Sequence, residues 1–470
     1  MPDKLLRHLS WVGIGVYMVS LLTVSCLYRS FALKPLWMAW GVGAVLFFFG
    51  LTYLFHRRWC HDDAKRFVRK VFWVALGIRL LYLAGIIFYY YQQTGLSLEY
   101  DAADSLNYHR WASYCSNLAR QGQFKEIILT LHYNTMGFSD QGYTLYLTIL
   151  YTLFGKNILG PRILKALMSA YLCVVVYKLA ARSLGERTAR IAAMMAVFMP
   201  HLIHYPGTYL KEMEMVFLAT LALERMDYLI RSKRYTFWNI ICPIVLTALT
   251  FGFRTVVGMA LIASFLLFVL FGERQLLTRK TKGIVAGMVV LLAVVFLFTP
   301  IGWEMAVIFK LRFSDLGFLS QKYRALGMRY AEFAHCKYLW PGAFVMPLTN
   351  LVEVANSTQK MMNGDFFVKN YLAFFAMWGF VVAVRERQWR NITLPGAYTL
   401  FYVLIVTFSF AAMSERYHFP ELPGFILLSG YAIAHWRRQD FKWLYIYSTL
   451  LILAIVAWNT LKLAGRGIIL

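Results

Sequence analysis

The chain has 470 residues, of which 60% are hydrophobic and only 15% charged. A water-soluble protein of this size cannot hide so much apolar surface, so a purely soluble domain is excluded and lipid must be part of the solvent. The formal net charge of +25 would suit nucleic acid, but the Lys and Arg residues stand in short clusters between apolar runs, so no nucleic-acid partner is expected.

Apolar runs lie near 9–29, 36–55, 71–91, 161–181, 190–205, 211–230, 237–252, 255–272, 283–300, 366–384, 392–412, 420–436 and 443–463. A helix needs about 20 residues to cross the hydrocarbon core, so the shorter runs have approximate ends. The pattern predicts an all-α polytopic membrane protein of about 13 transmembrane helices, with residues 1–470 as a single integral membrane domain. Residues 1–70 form an N-terminal two-span extension. Lys4 and Arg7 precede the first run, but no small-x-small cleavage site follows it, so it reads as a retained anchor.

With a cytoplasmic N-terminus, six inside connections carry Arg57/Arg58/Lys65/Arg66/Arg69/Lys70, Arg182/Arg187/Arg190, Arg231/Lys233/Arg234, Arg274/Arg279/Lys280/Lys282, Arg385/Arg387/Arg390 and Arg437/Arg438/Lys442. All six are basic, as the positive-inside rule requires. Two outside segments are long, 92–160 and 301–365, and the second is expected to cap the cavity. Its Lys322, Arg324, Arg329 and Lys337 either meet an anionic substrate or are balanced by Glu304, Asp315, Glu332, Glu353 and Asp365.

Directly after the run Val71–Tyr91, the stretch Glu99–Ala112 reads EYDAADSLNYHRWA. It places Glu99, Asp101 and Asp104 just beyond a membrane surface, followed by Tyr108, His109, Arg110 and Trp111. One reading is a solvated loop opening into an interfacial helix. The other is a set of acids at the mouth of a membrane cavity, suited to a substrate that is half lipid and half polar. In D-x-x-x-Y-x-x-x-A, helical spacing puts Asp104, Tyr108 and Ala112 on one face. Asp104 then stands near a helix start, where the dipole favours a carboxylate. Trp111 reads as an interface anchor. Gly142–Gly155, GYTLYLTILYTLFG, is short for a span and reads as an interfacial helix; as a span it would move Arg182–Arg190 outside.

Pro206 and Gly207 mark a tight outside turn before TYLKEMEM, Thr208–Met215. Lys211, Glu212 and Glu214 either start a helix or line a cavity, since a central charge in a span costs about 3 kcal/mol. In SERYHFPELP, Ser414–Pro423, Arg416 stands with Tyr417 and His418 and suits either a bound phosphate or an aromatic-belt anchor. Arg254, in FGFRT, reads as a snorkelling cation. His201 and His204 read as structural, and no HExxH-like run is present. The six cysteines form no CxxC pair; Cys115 and Cys336, both outside, are either a disulfide or two free thiols.

Taken together, the long outer loop, D-x-x-x-Y-x-x-x-A, the GYTLYLTILYTLFG stretch and PRILKALMSAYLCVVVYKLAARSLGERTARIAA resemble the GT-C glycosyltransferases. The resemblance is to the ArnT/protein-O-mannosyltransferase-like family, glycosyltransferase family 39. TYLKE and SERYHFPELP fit the same pattern, and the likeness covers about 71–230 and 414–430. Each motif is loose; their order carries the weight.

The resemblance implies transfer of a sugar from a polyprenyl-phosphate donor to a lipid, glycan or protein acceptor on the extracytoplasmic face of a bacterial inner membrane. Asp104 matches the catalytic aspartate of the first loop and Glu212 the acidic residue of the second outer turn. Arg416 and Tyr417 match the late Arg-Tyr pair at the donor phosphate, where Arg254 is placed as well. Asp101, Tyr108, Lys211, Glu214 and His418 are then expected to line the substrate cavity. The implied mechanism is one inverting displacement with Asp104 as general base. Ser105 stands where many members have Glu, and Gln141-Gly142-Tyr143 where they have a Lys-Pro-Pro-like element. These departures leave the acceptor and any divalent cation open. A flippase of lipid-linked sugars is the alternative from another class, but no repeat symmetry supports it. A polysaccharide polymerase or ligase is the nearer rival; there the long outer loop usually comes late.

Overall fold

The structure is a computed structural model that describes residues 2–100, 103–134, 138–272, scattered positions between 283 and 307, then 340–354, 357–408, 415–465 and 467–468. Among them no β-strand forms. In chain order the helices are α1 (Pro2–Leu27), α2 (Pro35–Trp59), α3 (Ala64–Thr94), α4 (Ala103–Arg120), α5 (Phe124–Asn134), α6 (Phe138–Phe154), α7 (Leu159–Ser183), α8 (Glu186–Phe198) and α9 (Pro200–His204). They continue with α10 (Glu212–Ser232), α11 (Phe237–Phe253), α12 (Thr255–Phe271), α13 (Trp340–Ala343), α14 (Ser357–Met361), α15 (Asn363–Arg385), α16 (Thr393–Phe408), α17 (Leu422–Ala434) and α18 (Phe441–Ala464). The protein is thus an all-α polytopic membrane protein. Twelve of the thirteen predicted runs coincide with helices, and the run 283–300 lies largely outside the described residues.

Local chemistry explains several boundaries. Asp63 caps α3 by accepting the Arg66 N–H at 3.0 Å, and Gly95, at φ 71°, ends it in the left-handed conformation that glycine adopts without strain. The predicted run 190–205 is divided, because Pro200 cannot continue a helix and starts α9 instead. Among the described residues, six helices, α1, α2, α3, α7, α15 and α18, are long and apolar enough to cross a membrane. In α7 and α15, 67% and 72% of the apolar stretch is buried, against 28–39% in the other four. Helices α7 and α15 therefore form the interior, and α1, α2, α3 and α18 turn apolar side chains outward, as lipid requires. The 13-residue α8 and α17 are buried in the same interior and pack on each other and on α7 and α15.

Five of the six basic connections meet at one end of this bundle; Arg274, Arg279, Lys280 and Lys282 lie outside the described residues. Arg190 donates to the Trp59 and Cys60 carbonyls, Arg182 pairs with Glu224 and Asp227, and Arg231 donates to the Asn391 carbonyl. Arg385 pairs with Asp440 at 2.8 Å and Arg437 with Glu386 at 2.6 Å. His8, near the N-terminus, contacts Tyr445 at the same end. The alternation read from charge places these loops together, and the acidic motifs at the opposite end.

At that opposite end, α4, α5 and α6 stand between α3 and α7. Helix α6 packs across α4 and the end of α11. Gly142 lies against the Gly252 backbone, where a Cβ would come within 2.6 Å of a carbonyl carbon. Gly142→Val is therefore expected to force the two helices apart and cost about 1–3 kcal/mol. A lower thermal unfolding midpoint of the purified variant checks this; an unchanged midpoint refutes the close packing.

Candidate active site at the acidic end

The site is assembled from four connections distant in sequence. Asp104, in the first turn of α4, accepts from Arg416 in the 3-10 turn Glu415–His418, with Oδ2 and Nη1 2.8 Å apart. Both side chains reach solvent: Asp104 is 50% exposed and Arg416 39%. Glu212 opens α10 and is buried; its Oε1 lies 3.9 Å from Arg254 Nη2, between α11 and α12. The Arg254 guanidinium lies over the Tyr417 ring, 4.4 Å from its centre, a cation–π arrangement that fixes its plane. Tyr402 donates to the Tyr417 carbonyl at 2.8 Å and holds the turn from below. Arg254 was expected to snorkel toward water; it turns inward instead, because Glu212 and the Tyr417 face satisfy it there.

Tyr108 is half-buried on the same side of α4 as Asp104 and packs edge-on against Tyr143, centres 4.9 Å apart. Burial first, then Glu212 and Asp104, raise its hydroxyl above the ordinary phenol value, so it stays neutral. Arg416 loses from burial, but Glu212 and Asp104 outweigh this and hold its guanidinium more firmly charged than usual. Lys211 Nζ donates to the Phe253 carbonyl at 2.7 Å. His418 is buried beneath the turn, 2.9 Å from Glu421 and 3.2 Å from Lys369, so it faces the protein interior. Asp101 lies outside the described residues, as do Cys336 and the charged residues between 304 and 337; Cys115 is buried. Among the described residues, no group of three or more His, Cys, Asp or Glu side chains is placed to hold a metal ion.

Beneath Asp104 lies a second, buried polar layer. Glu99 accepts from the Ser105 hydroxyl and, at 3.1 Å, from the Tyr209 N–H, with Arg162 3.9 Å away. Lys165 donates to the Thr208 and Leu210 carbonyls and lies 3.6 Å from Glu214. Arg162 and Lys165 are three residues apart on one face of α7, so one helix turn organises the turn 205–211 and anchors the start of α4. Tyr209 meets Tyr151, which in turn bonds His109 at 2.7 Å. Ion pairs this deep cost desolvation, so they are poor evidence for stability and fit a site that must hold a fixed geometry.

Arg162, Lys165 and the tyrosines Tyr143, Tyr151 and Tyr209 were not among the expected site residues. A signal for the two cations was present: both stand inside the predicted run 161–181, where an ionisable residue must face the protein interior. The tyrosines gave none.

Residues 142–301 match the family model described as dolichyl-phosphate-mannose-protein mannosyltransferase. The match supports a membrane glycosyltransferase of the GT-C type. It spans α6 to α12 and so contains Lys165, Lys211, Glu212, Glu214 and Arg254, whereas Asp104 and Arg416 lie on either side of it. No curated protein and no solved structure gives a significant match to the chain.

Proposed function

We propose that this GT-C type glycosyltransferase moves a sugar from a polyprenyl-phosphate donor to an acceptor hydroxyl on the extracytoplasmic face of the membrane, with Asp104 as general base. The observation that carries the reading is the meeting of Asp104 and Arg416 beside Arg254 and Glu212. Of the carboxylates in this cluster, Asp104 is half exposed, while Glu99, Glu212 and Glu214 are 6% exposed or less. An acceptor entering from water therefore meets Asp104 first.

In the displacement, the acceptor oxygen forms a bond to the anomeric carbon and gives its proton to Asp104. The bond from that carbon to the phosphate oxygen breaks, and its electron pair leaves with polyprenyl phosphate. Attack from the face opposite the leaving group inverts the anomeric centre. Arg416 and Arg254 stand where they can neutralise the charge that develops on the phosphate. Glu212 keeps Arg254 in place, and Tyr108, neutral and half-buried, is a donor to the sugar. The experiment is release of polyprenyl phosphate by the purified protein from polyprenyl-phosphate sugars labelled in the sugar. Label transferred with inversion supports the reading; no transfer from any such donor overturns it.

Lys211 adds a pH dependence. Burial, then Arg254 beside it, push its ammonium down to about 7 against the pull of Glu212. It is charged below that pH and neutral above it. Raising the pH from about 6 to about 8 is therefore expected to remove one cation from the site and weaken binding of farnesyl phosphate a few-fold. Lys211→Met should flatten the affinity–pH profile; a profile unchanged in that variant assigns the titration elsewhere.

A further inference from the structure

One oxygen of the proposed base is already engaged by a cation. Asp104 Oδ2, the oxygen nearest the last outer turn, accepts from Arg416 at 2.8 Å. While this contact stands, an acceptor hydroxyl competes with a guanidinium for the same lone pairs. Arg416 likewise cannot present that Nη1 to a phosphate. The two groups with complementary roles in the proposed reaction are therefore tied to each other when no donor is bound.

Three features make the contact reversible. It is solvent-reaching on both sides, with exposures of 50% and 39%, and exposed ion pairs are weak. Its two partners belong to segments far apart in sequence, α4 and the 415–418 turn, so breaking it unfolds neither. Neighbouring Arg254 is differently built: it is 12% exposed, stacked on Tyr417 and paired with Glu212, so it stays in place while Arg416 moves. One of its nitrogens, Nη1, is buried without a hydrogen-bond partner. A phosphate ester offers acceptor oxygens to both guanidiniums and binds Arg more strongly than one exposed carboxylate oxygen does.

We propose that the Asp104–Arg416 ion pair is a latch, opened when an isoprenoid phosphate takes the Arg416 guanidinium and thereby frees Asp104 as base. The inference rests on the phosphate donor assigned above. It makes the base more competent once the donor is seated, because before that a lone acceptor meets a carboxylate already drawn to a guanidinium. It also gives donor binding a cost, because part of the affinity is used to open the pair.

The test titrates the full-length protein in nanodiscs with farnesyl phosphate, using farnesol as the uncharged control. Asp104→Asn removes the latch and is expected to tighten farnesyl phosphate binding about two- to fivefold, leaving farnesol unchanged. Arg416→Gln is expected to weaken phosphate binding at least about tenfold, the loss of one charge-assisted contact. The deciding variant is the double substitution. Simple repulsion between Asp104 and phosphate would persist in the Arg416→Gln background, whereas release of a latch vanishes there. A gain from Asp104→Asn that survives in the double variant, or no gain at all, overturns the latch while leaving the phosphate assignment intact. Equal affinity of the wild type for farnesol and farnesyl phosphate overturns the donor assignment itself. Thermal unfolding of each variant shows that it is folded before the comparison is made.

Discussion

Asp104→Asn is expected to lower sugar transfer by about 100- to 10,000-fold while the protein remains folded and still binds donor. The amide keeps the shape, but it carries no charge to hold the Arg416 guanidinium and cannot take a proton from an acceptor hydroxyl. Because the side chain is half exposed at the first turn of α4, its loss removes no buried contact. Stability should therefore move by less than about 0.5 kcal/mol, as at other surface positions. The measurement pairs a transfer assay with a thermal unfolding midpoint. Transfer near the wild-type rate with an unchanged midpoint would remove Asp104 from the chemistry and turn attention to Glu212, the buried acid beside Arg254.

The largest expected effect on stability lies deeper. Arg79 is fully buried in α3 and makes five hydrogen bonds: to the Ser169 hydroxyl at 2.6 Å, the carbonyls of Ala75, Ala196 and Val197 at 3.1–3.2 Å, and Cys173 Sγ at 3.4 Å. Two of those carbonyls close the last turn of α8, where no further helical N–H reaches them. Arg79→Leu leaves them without a partner in a dry interior and is expected to cost about 3 kcal/mol. Arg79→Lys should recover only part, since an ammonium lacks the planar fork that reaches several acceptors at once. A lowered unfolding midpoint for Leu and an intermediate one for Lys would fit. Equal midpoints for wild type and Arg79→Leu would mean that other groups satisfy the end of α8.

These residues show how far a sequence can be read physically. The period-3.6 spacing of Asp104, Tyr108 and Ala112 anticipates the face of α4, because one helix carries all three. The positive clusters anticipate which loops share an end, because lipid imposes the alternation everywhere. The inward turn of Arg254, which reads in sequence both as a snorkelling cation and as a phosphate-binding residue, is hidden for the opposite reason. It is held by the Tyr417 ring, more than 160 positions away, and local spacing carries no trace of that partner. His418 stands in a turn full of polar residues, yet Glu421 and Lys369 draw it inward. Arg162 and Lys165 were legible in principle, as charges inside an apolar run, but their service to the turn 205–211 depends on how α7 meets that turn.

Helices α8 and α17 have 13 residues each, or about 20 Å of rise against a hydrocarbon core of about 30 Å. Each helix by itself is thus roughly 10 Å shorter than that core. Buried polar chain adjoins each short end, with His201 and His204 after α8 and His418 and Glu421 before α17. The polar groups beside these ends therefore lie within the bundle, among buried side chains. Under the proposed reaction, a phosphate tethered to an isoprenoid tail would reach such groups from the side, its hydrocarbon staying in the lipid, while the acceptor comes from water.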